Sequence, residues 1–425
     1  MRILRMGSTG PAVELLQLAL NRAGFGALAT DGIFGPKTDG ALRRFQTSRG
    51  LVSDGIAGRD THRALLPWYT GYVLHRIERG DSFWKLAERY GTTVENIALA
   101  NPGAEPENLQ IGESLVVPLP FPVVPTKINW SAALLEYVMR GLSARYPFLQ
   151  VGEIGRSVMG KTLWSLTLGE GEREILYNAE HHANEWITTP LLLTFAEELA
   201  AAFASGGTVD GLSAQELLAG ARLTLIPAVN PDGMDLVTGE LRQGEFYRAA
   251  QNIANAYPDI PFPDGWKANI RGTDLNLQYP AEWERAKEIK CGLGVCSPAP
   301  ADYVGPAPLS APESRAMYDY TLALSPALTI SLHTQGEVIY WRYGECEPEG
   351  AREIGEEFAS RSGYALADVP GESSFAGYRD WFIERWERPG YTVEAGLGQN
   401  PLPITDFDGI YEKLRPILAY GLAAL

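Results

Sequence analysis

His182-Ala183-Asn184-Glu185-Trp186 follows closely on the apolar run Ile175-Leu176-Tyr177. An unbroken apolar run reads as a buried strand. A histidine and a glutamate three positions apart, in the turn after such a strand, can present an imidazole nitrogen and a carboxylate oxygen to one metal ion. Alone the spacing is common. Its meaning depends on what the rest of the chain can bring to the same place.

Candidates for a third ligand are few, because the chain has only five histidines: His62, His75, His181, His182 and His333. His62 and His75 fall in small amino-terminal modules and are expected to be surface or half-buried residues. Of the adjacent pair, His182 has a carboxylate three residues on, whereas His181 would need Asn184, and an amide is a poor zinc ligand. His333 follows the strand-like run Ala327-Leu328-Thr329-Ile330-Ser331-Leu332. Two histidines and one carboxylate, with a fourth position open for water, make a catalytic zinc arrangement; structural zinc is normally closed by four protein ligands. One zinc ion held by His182, Glu185 and His333 is the expectation.

Around these segments, from about Lys127 to Leu425, apolar β-rich runs alternate with helical periods, an α/β layout. Helical spacing covers Ser131 to Leu142, while Leu163 to Leu168, Ile175 to Tyr177, Leu223 to Ile226 and Leu328 to Leu332 read as buried strands. In an open α/β sheet, catalytic groups are expected at the carboxyl ends of such strands.

Composition limits the partners. At 425 residues and 45% hydrophobic, the chain can bury large cores in several domains. No apolar run approaches the roughly 20 residues of a membrane span, so no membrane insertion is expected. The stretch Met1-Arg2-Ile3-Leu4-Arg5-Met6-Gly7 lacks the apolar core of a signal peptide. A formal net charge of −16 argues against nucleic acid, whose phosphates need a cationic face. It leaves open a polysaccharide, which is gripped by hydrogen bonds and aromatic faces. Of three cysteines, Cys291 and Cys296 are spaced to pair across a tight loop, leaving Cys346 free; reduced structural thiols are an equal reading.

Residues 1–67 contain an internal repeat. Asp31-Gly32-Ile33-Phe34-Gly35-Pro36-Lys37-Thr38 recurs as Asp54-Gly55-Ile56-Ala57-Gly58-Arg59-Asp60-Thr61, followed by Ala41-Leu42 and Ala64-Leu65 respectively. Each copy reads as a glycine-punctuated turn feeding a helix, with the threonine placed as its cap. With an earlier helix from about Pro11 to Ala23, and with Leu16-Gln17 and Phe45-Gln46, the pattern resembles the three-helix peptidoglycan-binding domain. Residues 70–119 read as strand, helix, helix, strand. Strand Tyr72 to Ile77, caps Ser82 and Thr93, Asn101-Pro102 and a returning strand from Leu109 to Val117 resemble a LysM domain. LysM modules bind N-acetylglucosamine polymers such as peptidoglycan. The proline-rich stretch 120–126 then serves as a stiff linker.

The large module, residues 127–425, carries Ile154-Gly155-Arg156-Ser157, His182 to Trp186, Asn230-Pro231-Asp232-Gly233, Arg271 to Asn276, His333 and Glu394, in that order. The set resembles zinc carboxypeptidases of the carboxypeptidase A type, which implies an α/β catalytic domain with a mixed central sheet. The resemblance gives His182, Glu185 and His333 to zinc and makes Glu394 the catalytic carboxylate. It sets Arg271 against the developing oxyanion, where a fixed cation is most useful, and gives Asn276 to substrate binding.

Two departures narrow the resemblance. After Asp274-Leu275-Asn276 those enzymes carry an arginine that grips the substrate's terminal carboxylate; here stands Leu277. An aromatic hydroxyl from a mobile loop also lacks a counterpart in Glu372-Ser373-Ser374-Phe375. Arg379, in Gly377-Tyr378-Arg379-Asp380-Trp381, is a candidate for holding a substrate carboxylate. Together with Leu332-His333-Thr334-Gln335-Gly336-Glu337, Tyr391 to Gly396 and Asn400-Pro401-Leu402-Pro403, these segments resemble bacterial γ-D-glutamyl-L-diamino acid endopeptidases. That resemblance implies cleavage of peptidoglycan stem peptides between γ-D-glutamate and diaminopimelate or lysine, in a wall-associated or spore and mother-cell setting. The alternatives are a metallocarboxypeptidase for ordinary peptides or muropeptides, and a catalytically silent wall-binding protein.

Overall fold

The computed structural model describes residues 2–370 and 375–425. The chain forms two compact units, Met1–Gln150 and Val151–Leu425.

In the first unit, helices α1 (Pro11–Arg22), α2 (Pro36–Ser48) and α3 (Arg59–Thr70) are organised by a doubled clamp. Gln17 Nε2 donates to Asp31 Oδ1 at 2.8 Å and Thr38 Oγ1 at 3.2 Å, and its Oε1 accepts from the Gly32 N–H at 3.0 Å. Gln46 repeats this with Asp54 Oδ1 at 2.9 Å, Thr61 Oγ1 at 3.2 Å and the Gly55 N–H at 3.0 Å. Gly32 and Gly55 have φ of 70° and 71°, a conformation a side chain would strain. The expected threonine caps are therefore not caps. Both helices start from a glycine without a side-chain cap, and the threonines turn inward to satisfy the buried glutamines.

Strand β1 (Tyr72–Arg76) pairs antiparallel with β2 (Ser114–Pro118), enclosing α4 (Phe83–Tyr90) and α5 (Val94–Ala100). Ser82 and Thr93 cap these helices by accepting from the N–H groups of Lys85 and Asn96. The returning strand starts at Ser114, later than the expected Leu109, because Gln110 and Glu113 close a turn. His62 and His75 are both buried, neither surface nor half-buried as expected. His62 bonds the Tyr69 hydroxyl at 2.9 Å and His75 the Asp81 carboxylate at 2.7 Å. Helix α6 (Ala132–Arg145) belongs to this same unit, with the Tyr137 ring stacked on Tyr69 at 5.1 Å.

The second unit is built on strands β3 (Gln150–Arg156), β4 (Thr162–Leu168) and β5 (Arg173–Ala179). Helix α7 (Thr188–Ser205), the hairpin β6 (Thr208–Val209) and β7 (Leu212–Ser213), α8 (Ala214–Gly220) and β8 (Ala221–Ile226) follow. Four helices come next, α9 (Pro231–Val237), α10 (Glu245–Ala254), α11 (Trp283–Gly292) and α12 (Pro312–Leu324). The chain then runs through β9 (Leu328–His333), β10 (Val338–Tyr340), α13 (Ala351–Ser362), β11 (Ala365–Ala367), α14 (Tyr378–Trp386), β12 (Gly390–Glu394) and α15 (Phe407–Ala423).

Eight strands form one mixed sheet in the order β11-β10-β12-β9-β5-β8-β4-β3. The four central strands run parallel, while β10 and β4 pair antiparallel at their flanks. Every residue of β9 is buried, which is why its sequence lacks polar alternation. On one face Leu176, Ile226, Met317 and Phe382 are fully enclosed, each burial stabilising the fold by about 1.5–3 kcal/mol. Cys291 and Cys296 form a disulfide and Cys346 is free. Among the described residues, no helix is long and apolar enough to cross a membrane.

Candidate active site

Three neighbouring parallel strands deliver the groups. Beyond β5 the chain forms a short 3-10 turn, Ala183–Glu185, with His182 at its start. In a 3-10 turn, side chains three apart eclipse, so His182 and Glu185 face the same way. His333 is the last residue of β9 and Glu394 the last of β12, where the two stand directly opposite each other in the sheet register.

The three expected ligands converge. His182 Nδ1 lies 3.0 Å from Glu185 Oε1, His333 Nδ1 lies 2.8 Å from Glu185 Oε2, and the two imidazole nitrogens are 3.2 Å apart. The ligand atoms of His182, Glu185 and His333 all lie within 4.8 Å of one another. Two imidazoles and a carboxylate aimed at one point are a donor set that suits zinc, and the group fits a single ion. His181, next in sequence, turns the other way and bonds the Tyr279 hydroxyl at 2.9 Å.

The surroundings hold this group in place. Asp274 Oδ1 lies 3.2 Å from His182 Nε2, fixing the ring with Nδ1 towards the ligand group, as carboxylates commonly do behind a metal-binding histidine. Asp274 also accepts from the N–H groups of Asn276 and Asp302, at 3.1 and 3.3 Å. Burial would raise the Asp274 pKa, but the facing His182 and Lys267 hold it well below the usual range. Asn230, just beyond β8, explains the Asn230-Pro231-Asp232-Gly233 motif. Its amide donates to the carbonyls of His181 at 3.2 Å and Ala268 at 3.1 Å, tying the ligand turn to the segment opposite.

That segment carries a residue the sequence reading missed. Lys267 Nζ lies 3.4 Å from Glu185 Oε1, and the Lys267 carbonyl accepts from the Ala183 N–H at 2.9 Å. Burial opposes its charge, but Glu185, Asp274 and Glu394 outweigh burial and raise its pKa. Arg271, expected against the oxyanion, is not in this cleft. It is exposed and lines a separate depression with Phe246 and Tyr303. The N–H groups of Arg271 and Thr273 both donate to the Asn269 side-chain oxygen, at 3.0 and 3.1 Å, which fixes the turn that carries Arg271. Lys267 is a cation that faces the ligands.

A cleft of about 530 Å³ opens over the group, lined by His182, Lys267, Asn276, Leu277, Arg379 and Glu394 among others. Burial and the neighbouring Glu185 push the Glu394 carboxyl above the usual range, against the pull of His333. Asn276 presents its side chain here, its amide oxygen accepting from the Tyr378 N–H at 3.0 Å. Arg379 is buried at the start of α14, paired with Asp380, and its guanidinium lies 5.9 Å from the Tyr340 ring centre. Glu372, Ser373 and Ser374, the segment expected to lack an aromatic hydroxyl, lie outside the described residues.

Comparisons with known proteins agree with this geometry. The zinc carboxypeptidase family matches residues 135–396, a peptidoglycan binding domain matches 9–65 and a LysM domain matches 75–118. The chain is 42% identical over 296 residues to γ-D-glutamyl-L-diamino acid endopeptidase 1 of Lysinibacillus sphaericus, covering 69% of this chain and 72% of that one. It is 41% identical over 277 residues to the uncharacterized protein YqgT of Bacillus subtilis, covering 64% and 72%. Carboxypeptidase A of Helicoverpa armigera shares the fold at a TM-score of 0.53 and 17% identity, over 71% of this chain and 75% of that one. Sequence and geometry together make this chain a zinc metallopeptidase that belongs to the zinc carboxypeptidase family and carries peptidoglycan-binding and LysM domains.

Proposed function

We propose that the chain hydrolyses the bond between γ-D-glutamate and the diamino acid of peptidoglycan stem peptides, diaminopimelate or lysine. The observation that carries this reading is the union, in one chain, of the His182-Glu185-His333 cleft with two domains of wall-binding type. The division we propose is residues 1–67 and 70–119 for wall binding, 120–126 as linker and 127–425 for catalysis, with α6 of the last stretch packed into the first compact unit. Glycan contact by the first two raises the concentration of stem peptides around the third. The relative from Lysinibacillus sphaericus, named for this bond, supports the same choice. A wall or spore-envelope setting follows from the substrate.

Zinc, when bound, supplies Lewis acidity and acidifies water towards a pKa of roughly 7. The chain does the rest. Glu394 at the end of β12 accepts the proton of the attacking water and returns it to the leaving amine. Lys267 stands to stabilise the negative charge that develops on the carbonyl oxygen. Asn276 and Arg379 position the substrate, Arg379 through one of its carboxylates. The products are the free γ-carboxylate of glutamate and the free amine of the diamino acid.

Leu277 favours cleavage with chain continuing past the scissile bond, since an apolar side chain cannot hold a terminal carboxylate. Arg379, buried in the cleft, favours the second reading, removal of a terminal diamino acid. Mass spectrometry of two defined muropeptides, one ending in diaminopimelate and one extended by D-alanine, separates them. Cleavage of both at γ-D-glutamate supports the endopeptidase; cleavage of the first alone assigns the carboxylate grip to Arg379.

A further inference from the structure

The cleft contains a charge pair that the reaction above does not use. Lys290, in the last turn of α11, has its Nζ 2.7 Å from Asp302 Oδ1; the lysine side chain is 11% exposed and the aspartate 51%. Both line the same cleft as His182 and Glu394. The pair is anchored on each side. Cys291, next to Lys290, is disulfide-bonded to Cys296, and the Asp302 N–H donates to Asp274 Oδ2 while Asp274 Oδ1 holds His182. Its offset from the ligand group is thereby fixed through one residue.

The Arg379–Asp380 pair of the same cleft is more enclosed. Arg379 and Asp380 are 5% and 3% exposed, and Asp380 also accepts from the Gly377 N–H at 3.2 Å. Lys290 and Asp302 instead form an open pair, a nearly buried cation beside a carboxylate that still faces the cleft. Such a pair can take up a group that itself carries both charges, because each new contact is charge-assisted and the pair need not be broken. A group carrying one charge satisfies only one half.

We propose that Lys290 and Asp302 form a subsite for an aminocarboxylate, the group that ends the side chain of diaminopimelate and that lysine lacks. This rests on the γ-D-glutamyl–diamino acid reading and deepens it. The substrate's ammonium meets Asp302 and its carboxylate meets Lys290. A lysine stem brings only the ammonium, and 2-aminopimelate in the same position brings only the carboxylate. Selection between wall chemistries is then a difference between two charge contacts.

The test uses the full-length zinc-loaded protein and three soluble tripeptides, L-alanyl-γ-D-glutamyl-diaminopimelate and its lysine and 2-aminopimelate analogues. The wild type is expected to show the highest kcat/KM on diaminopimelate, by about tenfold or more over each analogue. Lys290→Met should collapse the preference over lysine, Lys290→Arg should keep it, and Asp302→Asn should collapse the preference over 2-aminopimelate. Each ratio is taken within one preparation, so partial loss of folded enzyme cancels, and the half-exposed Asp302 gives a variant that does not disturb the interior. Equal rates on all three by the wild type, or ratios unmoved in both Lys290→Met and Asp302→Asn, overturn the subsite and leave the bond assignment standing. Failure of the wild type to cut any of the three overturns the bond assignment and the subsite with it.

Discussion

Glu394 lies directly across from His333, residue for residue, in the parallel pairing of β12 on β9. A carboxylate on a fully paired strand end, one strand from a ligand, keeps a fixed distance from the zinc site whatever the loops do. Glu394→Gln preserves shape and hydrogen bonding but cannot accept the proton. Turnover is expected to fall by about 10²–10⁴-fold, with zinc content by elemental analysis unchanged. Retained turnover would remove Glu394 as the base.

Lys267 and Arg271 make opposite predictions from four residues' separation. Lys267→Met takes away the cation beside Glu185 and should lower kcat by about 10²–10³-fold, the usual cost of losing one oxyanion-stabilising group. Arg271→Ala, on the exposed rim of a different depression, should leave kcat near wild type. The reverse result would restore the expectation drawn from sequence order.

Asp274 is outside the His182-Glu185-His333 group but holds His182 from behind, 3.2 Å from Nε2. Asp274→Asn should weaken zinc affinity by about 10–100-fold, measured by competition with a chromogenic chelator. His182→Ala should abolish stoichiometric zinc. A wild-type affinity in Asp274→Asn would mean the ring is held by packing alone.

How far the sequence carried the reading depended on the range of the interaction. The central strands were legible because complete burial leaves an unbroken apolar run, as in β9. The convergence of His182, Glu185 and His333 was legible because few histidines and one carboxylate spacing left little choice. Lys267 was not, because the path of the segment after α10, from residue 255 to 274, is set by bonds that the Asn230 amide donates to it and the Asn269 side-chain oxygen accepts within it, which no residue period records. Thr38 and Thr61 were misread for a related reason. A threonine near a helix start suits a cap, and only the distant Gln17 and Gln46 reveal what it serves.

The His75–Asp81 pair sets a pH dependence for the LysM fold. The hydrogen bond from His75, aided by the Glu78 N–H, holds the Asp81 pKa below the ordinary 3.8. A depressed carboxylate contributes stability that is full above its unfolded value and is lost as pH falls through the folded one. Thermal midpoints of the LysM transition should therefore drop more steeply below about pH 4 in wild type than in Asp81→Asn. Parallel acid limbs in the two proteins would assign the drop to other carboxylates.

Removing residues 1–120 is an obvious way to test the wall-binding domains, and the fold argues that it will also damage what remains. Helix α6 packs within the first unit, Tyr137 stacks on Tyr69, and Asn129 is held by Glu14 through bonds of 2.6 and 2.8 Å. The truncated chain keeps α6 and loses these partners. Exposed apolar surface of that kind favours association, so the shortened protein should bind more of a hydrophobic dye and show concentration-dependent light scattering where the full chain does not. Its activity on a soluble stem peptide must then be scaled to the monomeric fraction. Dye binding equal to that of the full chain would show that α6 is covered without Tyr69, and would make the truncation a clean probe of wall attachment.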